Sequence, residues 1–416
     1  MATTTDHDRR RDFGKLWAAQ TLAALSANVT TLAVPLIAVR LLNASPFEMG
    51  LLSTMATLPN LLFGLFAGPW VDRARRRPLM IAAHGLRALL LLSIPLATAA
   101  NALTLWQLSI VLFLFGVGTT LFDVAHVSYV PSLVAREQIV AANSRLVAST
   151  SLAGAVGPGL AGLLVGALTA PLAVLVDAGC LLLSAAFLGR IKTAEAEPPL
   201  ARQPVAMGAA IVAGLRPLFH DPLLRAIALS SMLYLFFTSA LLSVYLLYMT
   251  RDLALSPAPL GVIFACGGAG SLLGAVLAPR AARRLGVGPT LIVADLVGGL
   301  FLVTIPLAGV LPFAALVLGI AQGVSQLMGA IFYVNQTSLL QALAPEQLRG
   351  RMNASYRFLT MGAIPVGAFV GGLLGELVGV QATLLIGALG ALLPVVVLLR
   401  SPVRALHSLD APAPSV

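Results

Sequence analysis

The sequence predicts an all-helical membrane protein of twelve transmembrane helices, arranged as two pseudo-symmetric halves of six. Three observations carry this. Hydrophobic residues make up 58% of the 416-residue chain and charged residues only 10%, where a soluble domain carries about a quarter charged residues. No soluble core hides so many apolar side chains, so lipid must be the solvent for much of the surface. Breaks rich in Arg, Pro or Gly divide the chain into twelve apolar stretches. Finally, the chain repeats itself at an offset of 210 residues: Phe122, Val124, Ser128, Leu133 and Asn143 fall on Phe332, Val334, Ser338, Leu343 and Asn353. The same offset puts Gly64, Pro69 and Arg73 on Gly274, Pro279 and Arg283, Gly162 on Gly372, and Arg190 on Arg400. A duplicated set of spans is the ground plan of many secondary transporters, with the substrate site at the repeat interface.

The expected spans are 14–40, 48–70, 79–100, 104–128, 140–167, 170–189, 224–250, 258–278, 289–309, 311–334, 352–377 and 381–399. The first half is residues 1–189 and the second 223–400. Between them, residues 190–222 carry Pro198, Pro199 and Pro204 and form the one long hydrophilic break, a cytoplasmic linker whose part from Val205 to Phe219 has the character of a short interfacial helix. Residues 401–416 read as a disordered tail. The polar start MATTTDHDRRRDFGK precedes an apolar run too long for a cleaved signal segment. With both termini cytoplasmic, all but three of the 26 Lys and Arg residues fall on or beside cytoplasmic segments: Arg40 and Arg251 lie at outer ends and Arg87 within a span. This asymmetry fixes the orientation in a cell membrane. It also accounts for the net charge of +10 through contact with anionic lipid, without nucleic acid. Cys180 and Cys266 both fall inside spans and form no disulfide framework or metal cluster, and the five histidines are scattered without ligand spacing.

The loop after the second span reads GPWVDRARRRPLM. Part of its role is topological, since a short basic loop holds the hairpin inside. Spacing adds more. Asp72 and Arg76 share a face if the helix continues, and Asp123, near the end of the fourth span, is costly at that depth unless paired. Asp72, Arg73, Arg76 and Asp123 are therefore candidates for a conformational latch, with Arg73 or Arg76 the partner of Asp123. The loop resembles the motif of the major facilitator superfamily at Gly68, Asp72, Arg73, Arg76 and Arg77, with Arg75 in place of the usual glycine, and the resemblance adds Gly68 and Arg77 to the candidate latch. The second copy keeps Pro279, Arg283 and Arg284 but has Ala282 opposite Asp72, so an acid latch is expected in the first half alone.

Span five carries GAVGPGLAGLLVG. Gly154, Gly157, Pro158 and Gly162 form the candidate packing motif, a flat face interrupted by proline. Ordinary tight packing explains such a face. The pattern also resembles the span-five motif of drug exporters that exchange substrate for protons, with Ala161-Gly162 in place of a final glycine pair. VPSLVAREQIVAANS and AGLRPLFHDPLLRAIAL are similar to the macrolide-efflux and enterobactin-exporter branch of that superfamily.

Ionisable residues at membrane depth are functional candidates, and each also fits a structural ion pair. Asp177, Asp295 and Arg87 are the candidates for proton coupling, with Asp177 first because the sequence shows it no partner. Gln20, Asn28, Asn60, Tyr234, Thr238, Tyr245, Gln322 and Gln326 are the candidate substrate cavity. Mild polar groups among aliphatic and aromatic residues suit a large amphipathic ligand better than a sugar, although scattered Ser and Thr also bond their own helices. Two features depart from the drug–proton antiporters: Leu112 stands where many carry an arginine ahead of Gly116, and span one has no acid within the membrane.

These readings describe a secondary transporter exporting hydrophobic or amphipathic small molecules, drug-like or siderophore-like, by proton antiport and alternating access. Uptake of a nutrient, or a scaffold or sensor that kept the fold without transport, are the alternatives. No nucleophile–base pair, metal spacing or P-loop is visible, so neither an enzyme nor direct use of ATP is expected. The expected partners are a small-molecule substrate, protons and membrane lipid, with no nucleic acid, no cofactor and no metal, and the chain is expected to act as a monomer.

Overall fold

The computed structural model describes residues 6–64, 70, 71, 73–193, 195, 219–343 and 349–407. Among these residues every regular element is helical: α1 Asp6–Arg40, α2 Pro46–Gly64, α3 Arg76–Ala99, α4 Leu105–Leu133, α5 Ile139–Leu168, α6 Ala170–Gly189, α7 Pro222–Leu247, α8 Pro257–Leu285, α9 Val287–Leu307, α10 Ala314–Leu343, α11 Arg349–Val378, α12 Val380–Gly390 and α13 Leu393–Leu399. A π-helical turn, Tyr248–Asp252, continues α7. In lipid a helix is the element that satisfies every backbone group within its own segment. Eleven spans among the described residues are long and apolar enough to cross a membrane, α12 and α13 counting as one. The twelfth stretch is α2, whose apolarity is diluted by Glu48, Pro59 and Asn60.

Several helices outrun the expected spans. α4 ends at Leu133, α8 at Leu285 and α10 at Leu343, against 128, 278 and 334 from the sequence. Apolarity marks where lipid ends, and a helix persists into the polar zone for as long as its backbone bonds continue. Polar side chains set several starts. Asp221 caps α7 by accepting from the backbone N–H of Leu223 at 2.7 Å, and Thr104 caps α4 through Gln107. Ser45 and Glu48 form a reciprocal capping box at α2, the Ser45 N–H donating to Glu48 at 2.7 Å.

The chain divides into two compact units. The first is residues 1–43 with 55–203, the second 44–54 with 204–416. In the first, α1 packs on α5 and α6, and α3 on α4 and α6, around a core that includes Phe13, Leu16, Met80, Phe122 and Tyr129. In the second, α8 packs on α10 and α7 on α11, with Ile227, Leu291, Phe332 and Leu398 in the core. Residues 44–54, which the sequence placed in the first half, group with the second unit because Gly50 of α2 lies directly on Gly372 of α11. A Cβ on Gly50 would collide with the Gly372 backbone and stand 2.8 Å from the Ala368 carbonyl.

The internal repeat is visible in the helix boundaries. At an offset of 210 residues, α5 falls on α11, both 30 residues long, and α6 on the pair α12–α13. Each of these hairpins turns at a single residue with positive φ: Thr169 at 75° and Gly379 at 90°. The expected tail begins late. Residues 402–405 form a 3-10 turn, and Val403 and Leu406 are buried in the core of the second unit. Apolar residues inside the segment tie it down; residues beyond 407 lie outside the described set, as does most of the interfacial helix expected over 205–219.

Candidate functional site

The first candidate is the basic corner before α3. Gly68 and Asp72 lie outside the described residues, and Arg73 is exposed. Arg77 lays its guanidinium on the end of α6, Nε donating to the Leu188 carbonyl at 3.0 Å and Nη2 to that of Gly189 at 2.5 Å. These are carbonyls a helix end leaves without intrahelical partners. The start of α3 is capped from outside by Glu195, which accepts from the backbone N–H of Arg76 at 2.6 Å and of Arg77 at 3.2 Å. Glu195 also lies 3.8 Å from the Arg76 guanidinium. A carboxylate at a helix N-terminus is stabilised by both the free N–H groups and the dipole. Glu195 is thus an acid of this corner that the candidate latch did not include. Glu195 was read as linker, yet the linker's first residues are bound. Asp12 of α1 is buried and accepts from the N–H of Lys192 and Thr193 at 2.9 and 2.8 Å and from Lys15 at 2.6 Å. Asp123 is an exposed residue of α4 whose field acts on Arg87.

Deeper in the first unit lies a buried polar layer shared by α1, α3, α4 and α6. Asp177 of α6 is fully buried. Ser26 donates to one of its oxygens at 2.6 Å and Thr30 to the other. The expected lone acid is thus held by two hydroxyls of α1, and the premise that ranked it first is corrected. Arg87 of α3, also buried, feels the fields of Asp177 and Asp123. Its guanidinium carbon stands 4.4 Å above the Phe115 ring, a cation–π contact. His84, one turn away, is 3.5 Å from that guanidinium and packs on Phe122, their ring centroids 4.1 Å apart. His126 stacks on Phe122 from the same helix. The Nε2 atoms of both histidines and Nε of Arg87 are buried without a hydrogen-bond partner. The two histidines looked scattered because they belong to different helices. The i,i+3 spacing of His84 and Arg87 and the i,i+4 spacing of Phe122 and His126 were the available signals.

In the span-five motif, Gly157 is buried against Asn28 of α1, where a Cβ would stand 2.6 Å from the Asn28 side-chain carbon. The Asn28 amide donates to the Ala24 carbonyl at 3.0 Å and to Ala153 of α5 at 3.3 Å, so this expected cavity residue is bound up in helix packing. Gly162 is buried as well. Gly154 faces open space, so the packing face starts at Gly157. Pro158 sits half-buried in the helix interior. Asn60 accepts from Thr120 at 3.2 Å, and the Gln20 carbonyl oxygen is buried without a partner.

The second unit has an open cavity of about 610 Å³ between α7, α9, α10 and α11. Of the residues singled out from the sequence, Asp295 and Tyr234 line it. Thr238 bonds the Tyr234 carbonyl of its own helix at 2.6 Å. Tyr245 is buried edge-on to Phe264, and Gln322 and Gln326 pack against Gly267 between α8 and α10. The polar residues that complete the cavity were missed: Gln336 donates to the Tyr356 hydroxyl and accepts from Ser231 at 3.2 Å, and Arg357 stands exposed at its rim.

A family model described as transmembrane secretion effector matches residues 7–415. The chain belongs to this family, within the major facilitator superfamily. The multidrug efflux pump Tap of Mycolicibacterium fortuitum is 29% identical over 389 residues, covering 89% of this chain and 92% of that protein. Tap of Mycobacterium tuberculosis is 27% identical, with 94% and 92% covered. An uncharacterized transporter of the same superfamily, YfiS of Bacillus subtilis, is 28% identical, with 89% and 88% covered. Among solved structures, an inward-facing bacterial homologue of the iron transporter ferroportin superposes with a TM-score of 0.75 at 19% identity, covering 94% of this chain and 98% of that one. The nucleoside transporter NupG gives 0.73 at 13% identity, with 94% and 98% covered. At such identities the likeness shows the fold alone. This member of the family is a multi-pass membrane transporter and not an enzyme, and the all-helical architecture read from the sequence is the one found.

Proposed function

We propose that this transporter exports hydrophobic or amphipathic small molecules across the cell membrane, by alternating access of its two halves and in exchange for protons. The names of its relatives support export: Tap, alike along nearly the whole chain, is a multidrug efflux pump. The observation that carries proton coupling is the placement of Asp177. It is a fully buried acid held by two hydroxyls of the first helix, with the Arg87 cation close enough to act on it. Such a carboxylate has two stable conditions: ionised, hydrogen-bonded and balanced by the cation, or protonated and neutral. Exchange between the two moves a proton and changes what α1, α3 and α6 hold in common. Asp177 and Arg87 take the coupling role ahead of Asp295, whose surroundings suit a ligand.

The basic corner is the conformational latch of this reading. Arg77 fastens α3 to the end of α6, Glu195 caps α3 at Arg76 and Arg77, and Gly68, Asp72, Arg73 and Asp123 are assigned to the same latch. The monomer is the working unit, with both termini in the cytoplasm. The deciding measurement is drug accumulation in cells overexpressing the chain, with and without a protonophore. Accumulation falls in the overexpressing cells and is restored when the gradient is collapsed. Unchanged accumulation, or accumulation that rises with the protein, would rule out export.

A further inference from the structure

The cavity of the second unit has a floor and a rim of different chemistry. At the floor, Asp295 of α9 is 4% exposed, and its Oδ2 has no hydrogen-bond partner. Among the described residues lining the cavity it is the one buried side-chain atom so placed, since Gln336, Tyr356 and Ser231 satisfy one another. A carboxylate oxygen left without a partner at that depth costs free energy until a positive group meets it. The walls supply Tyr234, Phe332 and Tyr356, whose ring faces favour a cation. The rim is formed by the exposed Tyr333, Gln341, Asn353 and Arg357. The Arg357 guanidinium there opposes a second positive charge, and among the described residues no second acid lines the cavity. The volume, about 610 Å³, falls in the range of drug-sized sites.

We propose that this cavity binds an amphipathic monocation, with its charged nitrogen at Asp295, its apolar body against Tyr234, Phe332 and Tyr356, and its neutral end at Asn353 and Arg357. This rests on the export reading and adds to it a substrate class and a place within one half of the molecule. The charge count is the sharp part. A dication of the same shape leaves its second charge facing Arg357 or an apolar wall, and is refused.

The test uses purified full-length protein in lipid nanodiscs and two fluorescent phenanthridinium dyes, ethidium with one positive charge and propidium with two. Fluorescence anisotropy gives each affinity with no gradient present. The parent binds ethidium at least about tenfold more tightly than propidium, the scale of one lost charge contact. Asp295→Asn weakens ethidium by a similar factor or more, and Asp295→Glu keeps most of the binding. Arg357→Ala improves propidium and narrows the gap. Equal ethidium binding in parent and Asp295→Asn, or equal binding of the two dyes by the parent, overturns the proposal. Should Asp295→Asn fail to fold by size exclusion, the dye ratio in Arg357→Ala decides: an unchanged ratio overturns the proposal and a reduced one supports it. Because binding is measured without transport, a cavity that binds ethidium in a chain that fails to extrude drugs would sink the export reading alone.

Discussion

Ser26 of α1 donates its hydroxyl hydrogen to Asp177 of α6 across 2.6 Å, joining two helices 151 residues apart in sequence. The acid-free first span contributes hydroxyls where a carboxylate was sought, and the acid itself comes from the sixth. Replacing Asp177 with Asn keeps the shape and removes the ionisable group. Asp177→Asn loses transport driven by an imposed pH gradient while reaching the membrane at parental levels. Ser26→Ala, which removes one hydrogen bond to a charged group worth about 1.5–3 kcal/mol, shifts the pH dependence of transport without abolishing it. Parental gradient-driven transport in Asp177→Asn would make the residue a structural tie.

Gly157→Leu places bulk where Asn28 already lies. Transport falls while insertion persists, and Gly157→Ala shows a milder loss that Asn28→Ala relieves. Gly154→Leu, facing open space, leaves transport near the parental rate. Transport assays on the four variants check this pattern; full activity in Gly157→Leu contradicts it.

At the basic corner, Glu195→Ala exposes the first N–H groups of α3 and leaves Arg76 short of a partner. Loss of such a cap costs about 1 kcal/mol, enough to shift a balance between two transporter states several-fold. Distances between spin labels on the two loops following α2 and α6 report the change. An unchanged distribution together with normal transport, in Glu195→Ala and Asp123→Ala alike, would reduce the cluster to a topology signal.

Orientation has its own check. Cysteines introduced at Ala196 and Asp410 react with impermeant reagents only once the cytoplasmic side is opened. Labelling of either from outside intact cells reverses the assigned topology.

Thr169 holds φ at 75°, a region that disfavours a β-branched residue, while the equivalent position in the second half is Gly379. Thr169→Gly raises the melting temperature of the purified protein, with relief on the order of 1 kcal/mol. Gly379→Thr lowers it by a comparable amount. Opposite shifts would show that the Thr169 side chain contributes more than its backbone costs.

The fold was legible because lipid writes its boundary in composition: Ala170–Gly189 stood out as an apolar run between charged or helix-breaking residues. The helical ends beyond that boundary, such as Leu133 and Leu285, were illegible because the apolar signal stops while the backbone pattern goes on. Of the candidate site, single buried residues were legible as such: Asp177 and Asp295 are buried within their helices and Gly157 is closely packed. Encounters between helices were not. Asn28 and Asn60 looked like cavity polar groups and are packing contacts. Gln336, Tyr356 and Arg357 meet around Asp295 through the packing of α9, α10 and α11, which no single span reveals. Glu195 was hidden by its Pro-rich neighbourhood, which reads as slack chain although its first residues are fastened.

The elbows at Thr169 and Gly379 are each one residue long, and this bears on how the two copies of the repeat have been able to drift apart. An α-helix turns about 100° per residue, so a single insertion in such an elbow would rotate the whole following helix and swing its lipid-facing leucines toward the core. Side chains differ between the two hairpins, as Ala161 and Gly371 show, but the count between them has not changed. The constant offset of 210 residues across α5 and α6 is therefore a phase lock, in which geometry has tolerated substitution and refused insertion.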